Sequence, residues 1–166
     1  EELAYEFEKL LNNSDKLSLT LVPKGNELKK NQPELSPKDK LLKTSTVLVA
    51  EDDALQAKLI QQRLTAEGLT VVLAENGRHA LQLLRQERYS LVILDVQMPM
   101  VSGFEVLEKM RNELDMADVP VIVLSAMGSE ADIIKGYNLG ANDYILKPYS
   151  QVQLVARVKT LLKPRR

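Results

Sequence analysis

Acidic side chains follow two apolar segments of this sequence, and these positions have the residue types and spacing that could support chemistry. Residues 91–94 are apolar and lead into Asp95, and residues 46–50 lead into Glu51 and Asp52. In an open parallel sheet the carboxyl ends of the strands meet at one edge, where α/β proteins place their ligands. Glu51, Asp52 and Asp95 are therefore expected to share one crevice at that edge.

Carboxylates held this close together predict a bound cation. Neighbouring carboxylates raise one another's pKa unless a positive charge offsets them. Mg²⁺ suits the site because it binds a few carboxylates together with water and phosphate oxygens, and Mn²⁺ is the alternative. One carboxylate would then be free to act as a nucleophile and form an acyl phosphate. Two later apolar segments end in Ser125 and Lys147, which could supply a hydrogen bond and a positive charge to phosphoryl oxygens.

The elements that must position these side chains are five apolar segments, each followed by a helical pattern. The predicted strands are residues 47–50, 69–74, 91–94, 119–124 and 144–146. Such alternation implies right-handed crossovers and a parallel sheet with helices on both faces. We therefore predict an α/β fold with a five-stranded, doubly wound parallel sheet.

The part of the chain before this pattern differs in composition. Apolar residues between Leu3 and Leu11 recur at helical spacing, which predicts one short amphipathic helix. The polar stretch that follows contains three prolines and a glycine, which is typical of a linker. We interpret residues 1–45 as an N-terminal extension or linker that is the remnant of an upstream region. Residues 46–163 are the predicted main domain, and residues 164–166 begin a C-terminal linker or tail.

Composition excludes several classes of function. The sequence contains no cysteine, which excludes disulfides, thiol catalysis and cysteine-ligated zinc and suits the cytoplasm. The formal net charge of -1 gives no electrostatic basis for direct nucleic-acid binding. No apolar run approaches the ~20 residues that cross a bilayer, so no membrane association is expected.

The motifs at the strand ends together resemble the receiver domain of two-component response regulators. The matching stretches are Glu51-Asp52, LDVQMPMVSG at residues 94–103, Leu124-Ser125-Ala126 and Leu146-Lys147-Pro148-Tyr149. The match runs from about residue 46 to residue 162, and the order of the motifs makes it specific. The Lys147-Pro148 bond matches one that the family keeps in the cis form. The resemblance implies a flavodoxin-like fold and a signalling protein that accepts a phosphoryl group, not a metabolic enzyme.

The resemblance also implies roles for individual residues in phosphorylation. Asp95 would be the phosphoacceptor, and the donor would be a phosphohistidine on a histidine kinase or a histidine phosphotransfer protein. Asp52 would bind Mg²⁺ directly, together with Asp95 and the backbone carbonyl of Gln97. Glu51 would reach the ion through water. Lys147 would contact the phosphoryl group.

A conformational switch is a further implication of the resemblance. Ser125 would move to hydrogen-bond the new phosphoryl group, and Tyr144 would turn inward behind it. These movements would change the surface formed by the fourth helix, the fifth strand and the fifth helix, through which a homodimer could form. Ile133 and Gln153 stand where dimerising receivers of one subfamily usually carry complementary charges, which puts that particular dimer in doubt.

Two positions are expected to tune dephosphorylation in the family. Here they are Gln97, two residues after the phosphoacceptor, and Met127, two residues after the switch hydroxyl. The Met127 side chain cannot hold an attacking water as a carboxylate or amide could. We therefore predict slow self-dephosphorylation.

Two other functions remain open alongside the receiver. A haloacid-dehalogenase-like, Mg²⁺-dependent phosphatase also uses an aspartate after an apolar strand, a hydroxyl and a lysine. That chemistry needs a second aspartate as general acid where this chain has Gln97. The third possibility is a receiver that binds partners without being phosphorylated, and the presence of Asp52, Asp95, Ser125 and Lys147 argues against it.

Two further titratable residues are predicted to have no catalytic role. Asp53 is interpreted as a helix-start carboxylate that the helix dipole favours. His79 is the only histidine and is predicted to be a surface residue at the start of a helix. No catalytic triad can be built from it.

Overall fold

The computed structural model describes residues 36–37 and 45–162. Its five strands are β1 (Thr46–Ala50), β2 (Thr70–Ala74), β3 (Leu91–Asp95), β4 (Val121–Ser125) and β5 (Asp143–Leu146). The helices between and after them are α1 (Ala54–Ala66), α2 (Gly77–Gln86), α3 (Gly103–Asn112), α4 (Glu130–Asn138) and α5 (Gln151–Leu161). The short helix predicted near the N-terminus, most of the linker and the C-terminal tail lie outside the described residues.

All five strands are parallel and form one sheet in the order β2-β1-β3-β4-β5. The chain runs from β1 outward to β2 and then crosses to β3 on the other side of β1. The order therefore reverses between β1 and β3, and a doubly wound sheet opens a crevice at the carboxyl ends of such a pair. The predicted five-stranded, doubly wound α/β fold is confirmed.

Both faces of the sheet are buried. Leu48, Val92 and Val123 belong to a core cluster that includes side chains of α2 and α3. Their strand neighbours point the other way, and Val49 and Ile93 belong to a second cluster that includes side chains of α1 and α5. Successive strand residues face opposite sides of a sheet, so an unbroken apolar strand needs cover on both faces. Each fully buried aliphatic side chain contributes about 1.5–3 kcal/mol to folding.

A side chain caps the start of each of the five described helices. Asp53 accepts hydrogen bonds from the backbone N–H of Leu55 and Gln56 at 2.9 and 3.2 Å, so its predicted place at a helix start is confirmed. Asn76 caps α2 by accepting from the N–H of His79 at 2.8 Å. Serines cap the three later helices. These bonds satisfy N–H groups that have no partner inside the helix.

The described helices include none that is both long enough and apolar enough to span a membrane. The longest is α1, with 13 residues. A transmembrane helix needs about 20 consecutive apolar residues.

Arg111 joins two loops at the amino edge of the sheet. Its guanidinium donates to the carbonyl oxygens of Gly140 at 2.8 Å and Val119 at 2.8 Å, and also to that of Met116. It further donates to the Asn142 side-chain oxygen at 3.2 Å, which in turn accepts from the first N–H of β4 at 2.9 Å. The loops before β4 and β5 are therefore held together by one side chain.

Replacing Arg111 with methionine should lower the free energy of unfolding by about 2 kcal/mol, because several backbone carbonyls lose a charged donor at once. Urea denaturation of the purified protein measures this. Arg85→Met is the matched control, since Arg85 is exposed on α2, and it should change stability by less than about 0.5 kcal/mol. Equal losses in the two variants would show that the loop contacts contribute nothing.

Candidate functional site

Four strand ends bring polar side chains together at the carboxyl edge of the sheet. Glu51 follows β1, Asp95 ends β3, Ser125 ends β4 and Lys147 follows β5. Glu51 and Asp95 are each only 3% exposed, and Ser125 is fully buried. The strand order places β1 beside β3, and the Lys147 side chain reaches their two carboxylates from the end of β5.

Lys147 forms ion pairs with both buried carboxylates. Its Nζ lies 3.0 Å from Oδ2 of Asp95 and 3.4 Å from Oε2 of Glu51. The other Asp95 oxygen, Oδ1, accepts a hydrogen bond from the backbone N–H of Gln97 at 3.2 Å. Both oxygens of Asp95 therefore face donors. The peptide bond between Lys147 and Pro148 is cis, as expected from the sequence.

Glu51, Asp52 and Asp95 form a cluster that could hold a metal ion. Each offers a carboxylate oxygen, and these oxygens lie within 4.8 Å of one another. Glu51 and Asp95 are buried, whereas Asp52 is exposed at the mouth of the crevice. Hard divalent cations prefer such oxygen ligands, so the donor set fits Mg²⁺ or Mn²⁺.

The electrostatics of the site show that one positive charge does not fully offset its carboxylates. The pKa of Glu51 is raised from 4.5 to about 7, chiefly by burial and then by the hydrogen bond and negative charge of Asp95, and Lys147 offsets only part of this rise. Burial also acts to lower the pKa of Lys147, but the hydrogen bonds and charges of Asp95 and Glu51 outweigh it, so the net shift is upward. A second cation beside Glu51 would relieve the remaining repulsion.

The backbone of Met127 connects Ser125 to Tyr144. The Met127 N–H donates to Oγ of Ser125 at 2.9 Å, and the Tyr144 hydroxyl donates to the Met127 carbonyl at 2.7 Å. Tyr144 is half-buried and packs against the core cluster that contains Phe104. The two residues expected to act in a switch are thus joined through one intervening residue.

Gly103 allows α3 to begin directly against the end of β3. A Cβ atom at this position would collide with the carbonyl oxygen of Asp95 and would lie 3.0 Å from Cα of Val96. The Gly103 N–H also donates to the Val96 carbonyl at 3.0 Å. A close backbone approach of this kind leaves no local pattern in the sequence.

The remaining titratable residues near the crevice have structural partners. Asp53 caps α1 and is absent from the carboxylate cluster. His79 is half-buried at the start of α2, and its Nδ1 accepts a hydrogen bond from the backbone N–H of Glu75 at 3.2 Å. The hydrogen bond spans the start of α2. In the sequence, only the spacing of four residues between Glu75 and His79 could have predicted it.

The chain is similar to proteins of one family along most of its length. The family model described as the response regulator receiver domain matches residues 47–159. The probable transcriptional regulator ycf27 of Porphyra purpurea is 42% identical over 117 residues, which are 70% of this chain and 47% of that protein. The chain therefore spans about half the length of the curated relatives it matches.

Solved structures give the same result. The receiver domain of a Francisella response regulator is 34% identical, with a TM-score of 0.68 over 72% of this chain and 97% of that one. A Thermotoga maritima response regulator in complex with Mg²⁺-BeF is 31% identical, with a TM-score of 0.64 over 71% of this chain and 99% of that one. This chain belongs to the response regulator receiver family, whose members are two-component signalling proteins and not metabolic enzymes.

Proposed function

We propose that this chain accepts a phosphoryl group on Asp95 from a phosphohistidine of a histidine kinase or a histidine phosphotransfer protein. The observation that carries the proposal is the contact of Lys147 with Asp95 beside two further carboxylates. A lysine in contact with a buried carboxylate can stabilise the negative charge of a phosphoryl group that is added to that carboxylate. Residues 46–163 would be the receiver domain, with residues 1–45 and 164–166 as flanking segments.

In the proposed reaction, an oxygen of Asp95 attacks the phosphorus atom of the donor. The O–P bond forms as the N–P bond breaks, and the electron pair of that bond returns to the imidazole nitrogen. The Gln97 N–H orients one Asp95 oxygen, and Lys147 is within reach of the phosphoryl oxygens. The domain would thus promote its own phosphorylation by positioning and charge.

We further propose that the acidic cluster binds Mg²⁺, with Mn²⁺ as a substitute. Asp52, Asp95 and the backbone carbonyl of Gln97 would hold the ion, and Glu51 would reach it through water. When bound, the ion would offset the negative charge of the carboxylates and of the phosphoryl oxygens. The raised pKa of Glu51 supports this, and the Thermotoga relative is described in complex with Mg²⁺-BeF.

Phosphorylation would act through Ser125 and Tyr144 on the surface formed by α4, β5 and α5. Ser125 would turn its hydroxyl toward the phosphoryl group and release the Met127 N–H that it now accepts from. Ile134 and Tyr137 expose large apolar side chains on α4, which would suit a homodimer through this surface. Ile133 and Gln153 are uncharged, whereas one subfamily of dimerising receivers usually carries complementary charges at these positions. Apolar contacts would therefore have to contribute more to the stability of a homodimer here.

The output of the proposed signal would lie outside the described residues. The curated relatives are named transcriptional regulators and are about twice as long as the matching part of this chain. A cytoplasmic location remains a prediction. The phosphatase alternative is disfavoured because Gln97 offers no general acid beside Asp95. The reaction with acetyl phosphate distinguishes a receiver that is phosphorylated from one that only binds partners.

Acetyl phosphate with Mg²⁺ should add a single phosphoryl group to the protein, detected as a mass shift under native conditions. Asp95→Asn should remove the product, because the nucleophile is lost. Asp53→Asn keeps a capping side chain and should be phosphorylated normally. Multiple turnover of generic phosphate esters would support the phosphatase instead, and absence of any reaction would support the binding-only receiver. Beryllofluoride binding at Asp95 gives a second check.

Met127→Glu should shorten the half-life of phosphorylated Asp95 roughly tenfold, because a carboxylate can orient the attacking water. The half-life is measured by following loss of the phosphoryl group after the donor is removed. Met127→Leu is the matched control, since it keeps an apolar side chain of similar size. An unchanged half-life in Met127→Glu would exclude a role for this position.

Glu51→Gln should stabilise the metal-free protein, and the gain should grow with pH. The folded state raises the pKa of Glu51 from 4.5 to about 7. The folding penalty is therefore absent well below pH 4.5, increases as the pH rises to about 7 and is complete above it. Between pH 5 and pH 8 the difference between variant and wild type should increase by roughly 2 kcal/mol in free energy of unfolding.

Urea denaturation in the presence of a chelator measures this difference at each pH. Glu108→Gln is the control, since it removes an exposed carboxylate from α3. A stability gain in Glu51→Gln that is the same at pH 5 and pH 8 would contradict the raised pKa.

A further inference from the structure

Gly136 is the one buried residue of the nine-residue helix α4, and it faces the ring of Tyr144. A Cβ atom on Gly136 would lie 2.8 Å from Cδ2 and 3.0 Å from Cε2 of that ring. It would also lie 3.5 Å from Cε1 of Phe104. Carbon atoms of neighbouring side chains pack at about 3.5–4.0 Å, so no larger residue fits here while the ring keeps its present pose.

Glycine in this place is not explained by the helix itself. Glycine is a poor helix former, and alanine would favour α4 at an interior position. The backbone of Gly136 is not in the left-handed region that favours glycine, since only Gly68 and Gly140 have positive φ among the described glycines. The remaining reason for glycine at residue 136 is that the Tyr144 ring occupies the space that a larger side chain would need.

The pose that Gly136 permits is connected to the phosphorylation site. The Tyr144 hydroxyl donates to the Met127 carbonyl at 2.7 Å, and the Met127 N–H donates to Oγ of Ser125 at 2.9 Å. Movement of Ser125 would therefore shift the backbone of Met127, and with it the hydrogen bond that holds the Tyr144 ring. Phe104 belongs to the core cluster against which Tyr144 packs, and Nζ of Lys135 lies 5.2 Å from the centroid of the Phe104 ring.

We infer that Gly136 is a positioning residue for the switch. Because glycine has no side chain, the Tyr144 ring has space to adopt the half-buried pose. Gly136 therefore influences the equilibrium between this pose and one in which the ring is turned outward. The inference rests on the proposed function insofar as the inward ring belongs to the phosphorylated state. The steric part, that Gly136 permits this ring pose, stands without that function.

Gly136→Ala should drive the Tyr144 ring outward, because the ring can rotate about χ1 whereas the helix backbone cannot move as easily. Nuclear Overhauser contacts from a ring-labelled Tyr144 to Phe104 and Met127 should be lost in the unphosphorylated protein. Asn138→Ala is the matched control. It also raises helix propensity in α4 but lies on an exposed position, and it should keep these contacts.

The same substitution should weaken binding of beryllofluoride with Mg²⁺ roughly tenfold, because the overpacked inward pose is penalised. In a Tyr144→Ala background the ring is absent, and Gly136→Ala should then change the affinity less than about twofold. Retained ring contacts, or an equal loss of affinity in both backgrounds, would overturn the inference. If wild type binds no beryllofluoride, the proposed function fails and the ring contacts alone decide the role of Gly136.

Folding of the variants gives a last check. If Gly136→Ala does not fold, the double variant with Tyr144→Ala removes the collision and should recover a cooperative unfolding transition. Failure of the double variant to fold would show that Gly136 is needed for another reason, and this result would also overturn the inference.

Discussion

The burial of negative charge at the carboxyl edge of the sheet is the constraint on which the rest of the site depends. Glu51 and Asp95 are almost completely buried, and Lys147 is the cation that contacts both within the described part of the chain. Buried carboxylates are costly unless they are paired and hydrogen-bonded. Lys147 removes only part of that cost, since the pKa of Glu51 stays raised to about 7. A cation bound beside these carboxylates would therefore stabilise the fold.

This arrangement is possible because the backbone brings separate strand ends together. The strand order places β1 beside β3, so that carboxylates from residues 51–52 and residue 95 share one crevice. Lys147 reaches the same point from the far edge strand. Gly103 allows α3 to start against the Asp95 carbonyl, which keeps the β3 end closely covered. A parallel sheet with short crossovers thus concentrates groups that are about 50 and 100 residues apart in sequence.

The site is joined to a distant surface by a short path of contacts. Ser125, the backbone of Met127 and Tyr144 are linked by two hydrogen bonds, and the ring of Tyr144 packs against Gly136 of α4. Hydrogen bonds and close packing tolerate only small changes in distance, so a movement of Ser125 would also displace Met127 and Tyr144. Closely packed side chains change between discrete arrangements more readily than they deform, which would suit the proposed phosphorylation-dependent switch.

The amino-acid sequence alone determined the alternation of strands and helices, the parallel sheet and the residues at its carboxyl edge, because apolar periodicity and strand-end polarity are local patterns. It also indicated the helix start at Asp53. Only the tertiary structure decided the contacts of Arg111 with loops up to 31 residues away, the half-burial of His79, and the need for glycine at residues 103 and 136. These features depend on how close two distant segments of backbone approach, and that distance is set by packing of the whole domain.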